Sequence, residues 1–194
     1  MSHWLRVRRV WVIVETLAVL AVLMSAWGDR TIVVPTVIGG GTDAIVSSAL
    51  APWGWTVIVA YVFACHGTGA EARPVRRLWV LDAALVTAMS VVASGVFVAT
   101  GSGEALAQVA AHVLLVSGLT VAVTVCRGPG TAALVTTGLV LLTFSYGVAA
   151  PGAEQVRVLQ PDGDLVWSLG VGVGVFVAGL ATIWWRRESS RAHG

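Results

Sequence analysis

Six apolar stretches, each close to twenty residues long, dominate this chain of 194 residues. A helix of about 20 apolar residues crosses the ~30 Å hydrocarbon core of a bilayer, where only helices and closed barrels satisfy their own backbone groups. The stretches therefore predict an all-α, polytopic integral membrane protein with six transmembrane helices in a single domain, residues 1–194. The predicted spans are about 9–27, 46–66, 79–99, 105–126, 132–150 and 166–185.

The composition excludes several soluble classes. Hydrophobic residues make up 57% of the chain and charged residues only 11%, whereas a soluble domain has about a quarter charged residues. The net charge of +2 does not supply the basic surface that binds nucleic-acid phosphates. A soluble enzyme, a nucleic-acid-binding protein and a disordered chain are therefore excluded, and the lipid bilayer is the expected surrounding.

The placement of arginine predicts the orientation. All 12 basic residues are arginine, which is typical of a GC-rich bacterial genome. Because cytoplasmic loops carry the excess of positive charge, both termini are expected in the cytoplasm of a bacterial plasma membrane, with the first span retained rather than cleaved. Ten arginines then fall in or beside the inner segments, and only Arg30 and Arg157 face out. The inner segments are 1–8, 67–78, 127–131 and 186–194.

The start of the second span has two interpretations. Trp53 and Trp55 place the outer interface near residue 53, since tryptophan prefers the membrane–water boundary. Residues 44–52 would then form a short interfacial or re-entrant piece capped by Thr42 and Asp43. Alternatively, the span begins at 46. The preceding outer loop, 28–43, is itself apolar, and we expect it to lie on or dip into the membrane.

Few ionisable groups fall inside the predicted spans, and such groups usually face a partner or a cavity. Glu15 lies ~9 Å into the first span. It is interpreted as a structural ion pair with an inner-face arginine, as a proton or substrate site, or as a protonated carboxylate. Asp82 lies in the first turn of the third span, where the helix N-terminus favours a carboxylate and Arg76 or Arg77 is within reach.

The fourth span carries a polar stripe. Glu104, Gln108 and His112 are spaced four residues apart, so that they share one helix face. Such a stripe indicates either a wet cavity or a polar seam hydrogen-bonded to a neighbouring helix. With Glu15 and Asp82, these residues are the transport or cavity candidates.

The sixth span carries Gly170 and Gly174 as a GxxxG pair. Glycines at this spacing let helices approach closely, so that the pair is a candidate for helix packing, including a homodimer face.

Catalytic and cofactor motifs are missing from the sequence. No GxxxxGK[ST] loop, HExxH or CxxC is present. Cys65 and Cys126 fall on the predicted cytoplasmic side, where they stay reduced. We expect no catalytic residue, no metal and no cofactor.

Three features resemble small permease subunits of the ABC-2 type from GC-rich actinobacteria. They are the basic segment 4–9 before the first span, the inner loop between spans two and three, and an outer excursion between spans five and six. The resemblance implies an exporter that works as a dimer with a separate ATPase, which docks on the inner loop. The docking residues it implies are Glu71, Arg73, Arg76 and Arg77.

Two other functions are kept as alternatives. An intramembrane enzyme acting on a lipid or isoprenoid would require Glu15, Asp82 and His112 to converge on one cavity. An accessory or immunity protein would only bind a membrane partner, as a homo- or hetero-oligomer, and would need its packing glycines more than its ionisable groups.

Overall fold

The computed structural model describes residues 10–27, 30–35, 42–46, 51–64, 78–100, 106–145 and 164–192. This part of the chain consists of six helices and one short hairpin. The predicted helical class is confirmed, and the hairpin is its one departure from the all-α prediction within the described residues. The elements are α1 Val10–Trp27, β1 Thr31–Pro35, β2 Thr42–Val46, α2 Ala51–Ala64, α3 Leu78–Thr100, α4 Leu106–Arg127, α5 Pro129–Ser145 and α6 Leu165–Ala192.

Three of the described helices are long and apolar enough to cross a membrane. They are Val80–Thr100 in α3, Ala107–Arg127 in α4 and Leu165–Trp185 in α6, and each segment has 21 residues. At a rise of 1.5 Å per residue, 21 residues extend roughly 31 Å, which matches the hydrocarbon core. Trp11–Ala26 and Pro129–Thr143 form shorter apolar helices.

The polarity of the described helices is reversed relative to a soluble protein. Large apolar side chains point outward, with Val166 80% exposed and Leu134 75% exposed. Polar side chains point inward, with Asp82 and Thr120 at 0% and His112 at 1% exposure. An exterior this apolar is incompatible with water and suits lipid, which identifies the chain as a membrane protein.

Helix α4 occupies the centre of the bundle. It packs against α2, α3, α5 and α6, and its contact with α6 is the most extensive in the described structure. Helix α1 packs on α2 and α3 at one side. The turn from α4 to α5 is the single residue Gly128, whose φ of 96° suits glycine, and this turn makes the two helices antiparallel neighbours.

Glycines bring the backbones of α4 and α6 into direct contact. A Cβ added at Gly118 would lie 2.5 Å from Phe176 Cα, and one added at Gly172 would lie 2.5 Å from the Ala111 carbonyl oxygen. A Cβ at Gly179 would collide with the Gly118 carbonyl oxygen. Only glycine allows this separation, which maximises van der Waals contact where no hydrophobic effect draws helices together.

The predicted packing pair, Gly170 and Gly174, lies elsewhere on α6. Both residues are exposed, and an added Cβ would meet nothing within 4 Å. Gly172 and Gly179 are seven residues apart, a spacing that returns to nearly the same helix face. Within the chain, this second pair carries the packing role that the sequence assigned to Gly170 and Gly174.

The segment after α1 contains a hairpin that the sequence did not predict. Strands β1 and β2 pair antiparallel, with Val33 opposite Ala44. Thr42 and Asp43 belong to β2, so the prediction that they cap a helical piece is wrong. Their backbones pair with β1 instead of starting a helix.

Helix α2 begins at Ala51, not at 46. Residue 46 is the last residue of β2 and pairs with Thr31, which excludes a helix start there. Pro52 falls in the first turn of α2, where its missing N–H costs nothing. The start therefore agrees with the outer interface that Trp53 and Trp55 indicate.

The glycine contact predicts unequal effects of one substitution at two positions on α6. Gly172→Leu forces α6 away from Ala111, and overpacking of this kind typically costs about 1–3 kcal/mol. Gly170→Leu adds the same side chain on the exposed side of α6 and leaves stability unchanged. Thermal unfolding in detergent compares the two variants, and equal melting temperatures would contradict the packing assignment.

Candidate functional site

Gln108 and His112 form a buried polar pair on α4. They lie one helical turn apart, and their side chains are 5% and 1% exposed. Gln108 Nε2 lies 3.3 Å from His112 Nε2. When the amide donates this hydrogen bond, His112 Nε2 is the acceptor, so a neutral ring carries its proton on Nδ1. The pair thus places an amide and an imidazole side by side in the first two turns of α4. Glu104, the third residue of the predicted stripe, lies outside the described residues.

A second polar group occupies the C-terminal half of α4. Trp55 Nε1 on α2 donates a 3.0 Å hydrogen bond to Ser117 Oγ, and Thr120 Oγ1 donates to the Val116 carbonyl oxygen at 2.6 Å. Thr124 Oγ1 is buried and has no hydrogen-bond partner among the described residues. Neither Ser117 nor the hydrogen-bonding role of Trp55 was predicted from the sequence. The available signal was a serine three residues before Thr120 on a span already rich in polar side chains.

These two groups together form what we call the polar seam: Gln108, His112, Ser117, Thr120 and Thr124. At 1.5 Å per residue it extends roughly 24 Å along α4. At 100° per residue, Ser117 lies about 140° around the helix from His112, so that the seam changes side near the middle of the bundle. It is therefore a curved polar interior and not a straight stripe on one face.

Helix α3 adds two hydroxyl groups to this interior. Ser94 Oγ donates a 2.8 Å hydrogen bond to the Ser90 carbonyl oxygen. Ser90 Oγ is itself buried and makes no hydrogen bond within the described part of the chain. Thr87, one turn before Ser90 on α3, is exposed and donates a 2.9 Å hydrogen bond to the Ala83 carbonyl oxygen.

Asp82 is completely buried near the start of α3. Helix α3 ends at Thr100, and helix α4 begins at Leu106. Asp82 lies 18 residues before the end of α3, whereas His112 lies six residues after the start of α4. The two side chains are therefore separated by roughly 18 Å along the helix axes. Direct proton transfer requires hydrogen-bond distance, so that Asp82 and His112 do not act on the same atom.

Glu15 points away from the interior. Its side chain is exposed on α1, whereas Asp82 and His112 are buried. The structure does not bring these three residues to one cavity, which removes the geometric basis for an intramembrane enzyme that uses all three. The ion pair predicted between Glu15 and an inner-face arginine is not present among the described residues.

The predicted docking residues Glu71, Arg73, Arg76 and Arg77 lie outside the described residues. On the same predicted side of the membrane, Arg127 is exposed at the end of α4. Beside it, Cys126 is an exposed free thiol. Across the described ranges, no group of three or more His, Cys, Asp or Glu side chains could hold a metal ion.

The helical fold, the apolar exterior and the polar interior are together those of an α-helical membrane protein. No protein-family model matches the chain, and no curated protein or solved structure shows significant similarity to it.

The bond from Trp55 to Ser117 predicts a measurable coupling. In a double-mutant cycle with Trp55→Phe and Ser117→Ala, we expect a coupling of about 1 kcal/mol, within the range of interhelical hydrogen bonds in membranes. Trp53 Nε1 donates an exposed 3.2 Å bond to Thr137 Oγ1, so that Trp53→Phe with Thr137→Ala is the matched control. Unfolding in lipid nanodiscs gives both couplings, and a larger coupling for the exposed pair would contradict the assignment.

Proposed function

We propose that this chain is the membrane-spanning subunit of a transport system. In this proposal it is the permease part of an ABC-type exporter, which moves an amphipathic molecule outward with energy from a separate ATPase. The observation that supports the proposal best is the polar seam on the central helix of a bundle whose exterior is apolar. Polar interiors of this kind mark substrate and ion pathways in membrane proteins.

Unsatisfied hydroxyl groups distinguish a pathway from a purely structural seam. A seam that only holds helices together is expected to bond all of its polar groups. Here Ser90 Oγ and Thr124 Oγ1 are buried and make no hydrogen bond with the described residues. Burying a hydroxyl without a partner costs about 1–3 kcal/mol, which water or a polar ligand entering the bundle would recover. These two groups therefore favour a pathway.

The charge distribution supports a multi-pass arrangement in a bacterial plasma membrane. Six spans with both termini in the cytoplasm put ten of the 12 arginines on the cytoplasmic side. The single-residue turn at Gly128 joins α4 and α5 on that side. In this topology α1, α2 and α5 complete the six spans with the three longer helices.

The energy source is assigned to a second protein. The chain contains no GxxxxGK[ST] loop, the sequence device that cradles nucleotide phosphates. The basic inner segment 67–78 resembles the segment through which ABC-2 permeases contact their ATPase. A homodimer of this chain with two ATPase subunits is the arrangement that the resemblance favours.

A transport pathway predicts that water reaches Ser90. We replace Ser90 with cysteine in a chain lacking Cys65 and Cys126, and apply a charged methanethiosulfonate reagent to the protein in nanodiscs. Ala93→Cys on the same helix is the control, because Ala93 is equally buried, at 0% exposure against 2% for Ser90. We expect Ser90→Cys to react about tenfold faster, since a charged reagent does not enter a dry apolar interior. Equal, slow labelling would indicate a dry interior around Ser90 and contradict a pathway.

The proposed ATPase contact is tested with two pairs of arginines. Arg76→Ala with Arg77→Ala removes two charges from the inner loop, and Arg186→Ala with Arg187→Ala removes two from the same side of the membrane. Two surface ion pairs together contribute about 1.4 kcal/mol, equivalent to a roughly tenfold change in affinity. We expect the first pair alone to reduce the ATPase activity that co-purifies with the chain. If no ATPase co-purifies, or if both pairs act alike, the exporter assignment is wrong.

A further inference from the structure

Helix α1 has two contrasting faces. One face is buried, with Ile13 at 4%, Leu17 at 8% and Met24 at 7% exposure, and packs α1 against α2 and α3. The opposite face is exposed over the length of the helix, and we call it the α1 outer face. It consists of Trp11, Val14, Glu15, Ala18, Val19, Val22 and Leu23.

Glu15 is the one ionisable residue of the α1 outer face. It lies five residues after the first residue of α1, roughly 8 Å along the helix. It has no hydrogen bond or ion pair with any residue that the structure describes. Its neighbours on the face are apolar, with Trp11 76%, Val14 53% and Val19 56% exposed. Lipid tails would surround a carboxylate here without satisfying it.

We propose that the α1 outer face docks a transmembrane helix of a different protein, which carries an arginine or lysine at the depth of Glu15. Charge complementarity identifies the occupant, since a cation is the group that satisfies an embedded carboxylate. Trp11 lies one turn closer to the helix start, and its exposed ring can also contact a cation. The inference goes beyond transport, because it concerns a partner inside the membrane and is independent of the ATPase.

A second copy of this chain fits the face less well. A twofold dimer through the α1 outer face is isologous, so that Glu15 would meet Glu15 of the other copy at the same depth. A heterologous contact would need an exposed arginine at that depth. The exposed arginines among the described side chains are Arg30, which follows α1, and Arg127, the last residue of α4. Arg30 lies beyond the end of α1 and Arg127 is the last residue of α4, so neither lies within a helix as Glu15 does in α1.

The test is photo-crosslinking in intact cells with the full-length chain. A benzoylphenylalanine at Val19, one turn from Glu15, reports on the α1 outer face. The same probe at Val91, 67% exposed on α3, is the control. We expect one protein to be crosslinked from Val19 and not from Val91, and to have an arginine or lysine within a transmembrane helix. Glu15→Gln is expected to lower the yield about tenfold, with Glu15→Asp retaining it.

Charge reversal decides whether the contact is electrostatic. Glu15→Arg abolishes the crosslink, and a glutamate in place of the partner's basic residue restores it. Crosslinks to lipid alone, to a second copy of this chain, or to a protein whose yield is unchanged by Glu15→Gln would each overturn the proposal. Because Glu15 is exposed, these variants fold, which equal expression and an unchanged melting temperature verify. The outcome is independent of labelling at Ser90→Cys, so that either proposal can fail alone.

Discussion

The close contact between α4 and α6 is the interaction on which the rest of the bundle depends. Gly118, Gly172 and Gly179 remove the side chains that would separate the two backbones. In lipid, helices gain little from excluding water, so that dense packing and interhelical hydrogen bonds must hold them. With one side of α4 fixed on α6, its other sides are covered by α2, α3 and α5. The central position of α4 buries its polar residues.

The buried polar groups fall into two kinds with different physical consequences. In the first kind, two buried polar side chains hydrogen-bond each other, and the bond holds both side chains in place. The examples are Trp55 with Ser117 and Gln108 with His112. Ser90 and Thr124 instead bury hydroxyl oxygens that make no hydrogen bond with the described residues, and this costs stability unless something polar enters. Glu15 differs from both kinds because it is exposed to the surroundings of the bundle. These polar groups therefore lie inside the bundle, whereas Glu15 faces its surroundings.

Much of the fold was predictable because helix formation in a membrane is a local property. Each predicted apolar stretch overlaps one described helix, because about 20 apolar residues in a membrane must satisfy their backbone groups internally. The pairing of Thr31–Pro35 with Thr42–Val46 was not predictable from the same argument, because a strand forms only with a partner segment and a short apolar run does not indicate that partner. The side-by-side placement of Gln108 and His112 was predictable from their four-residue spacing. The bond from Trp55 to Ser117 joins residues 62 positions apart, and no local pattern indicates it.

The sequence by itself determined that the chain is helical, apolar outside and suited to a membrane, because composition and helical period act within each segment. Only the tertiary structure decided which glycines pack and which ionisable groups share a space. Gly170 with Gly174 and Gly172 with Gly179 are both plausible pairs on one helix, and the choice depends on where α4 lies. In the same way, Glu15, Asp82 and His112 look equivalent as charges in spans. Packing separates them into an exposed carboxylate near the start of α1, a buried carboxylate near the start of α3 and a buried imidazole near the start of α4, because the direction of each side chain depends on the helices packed around it.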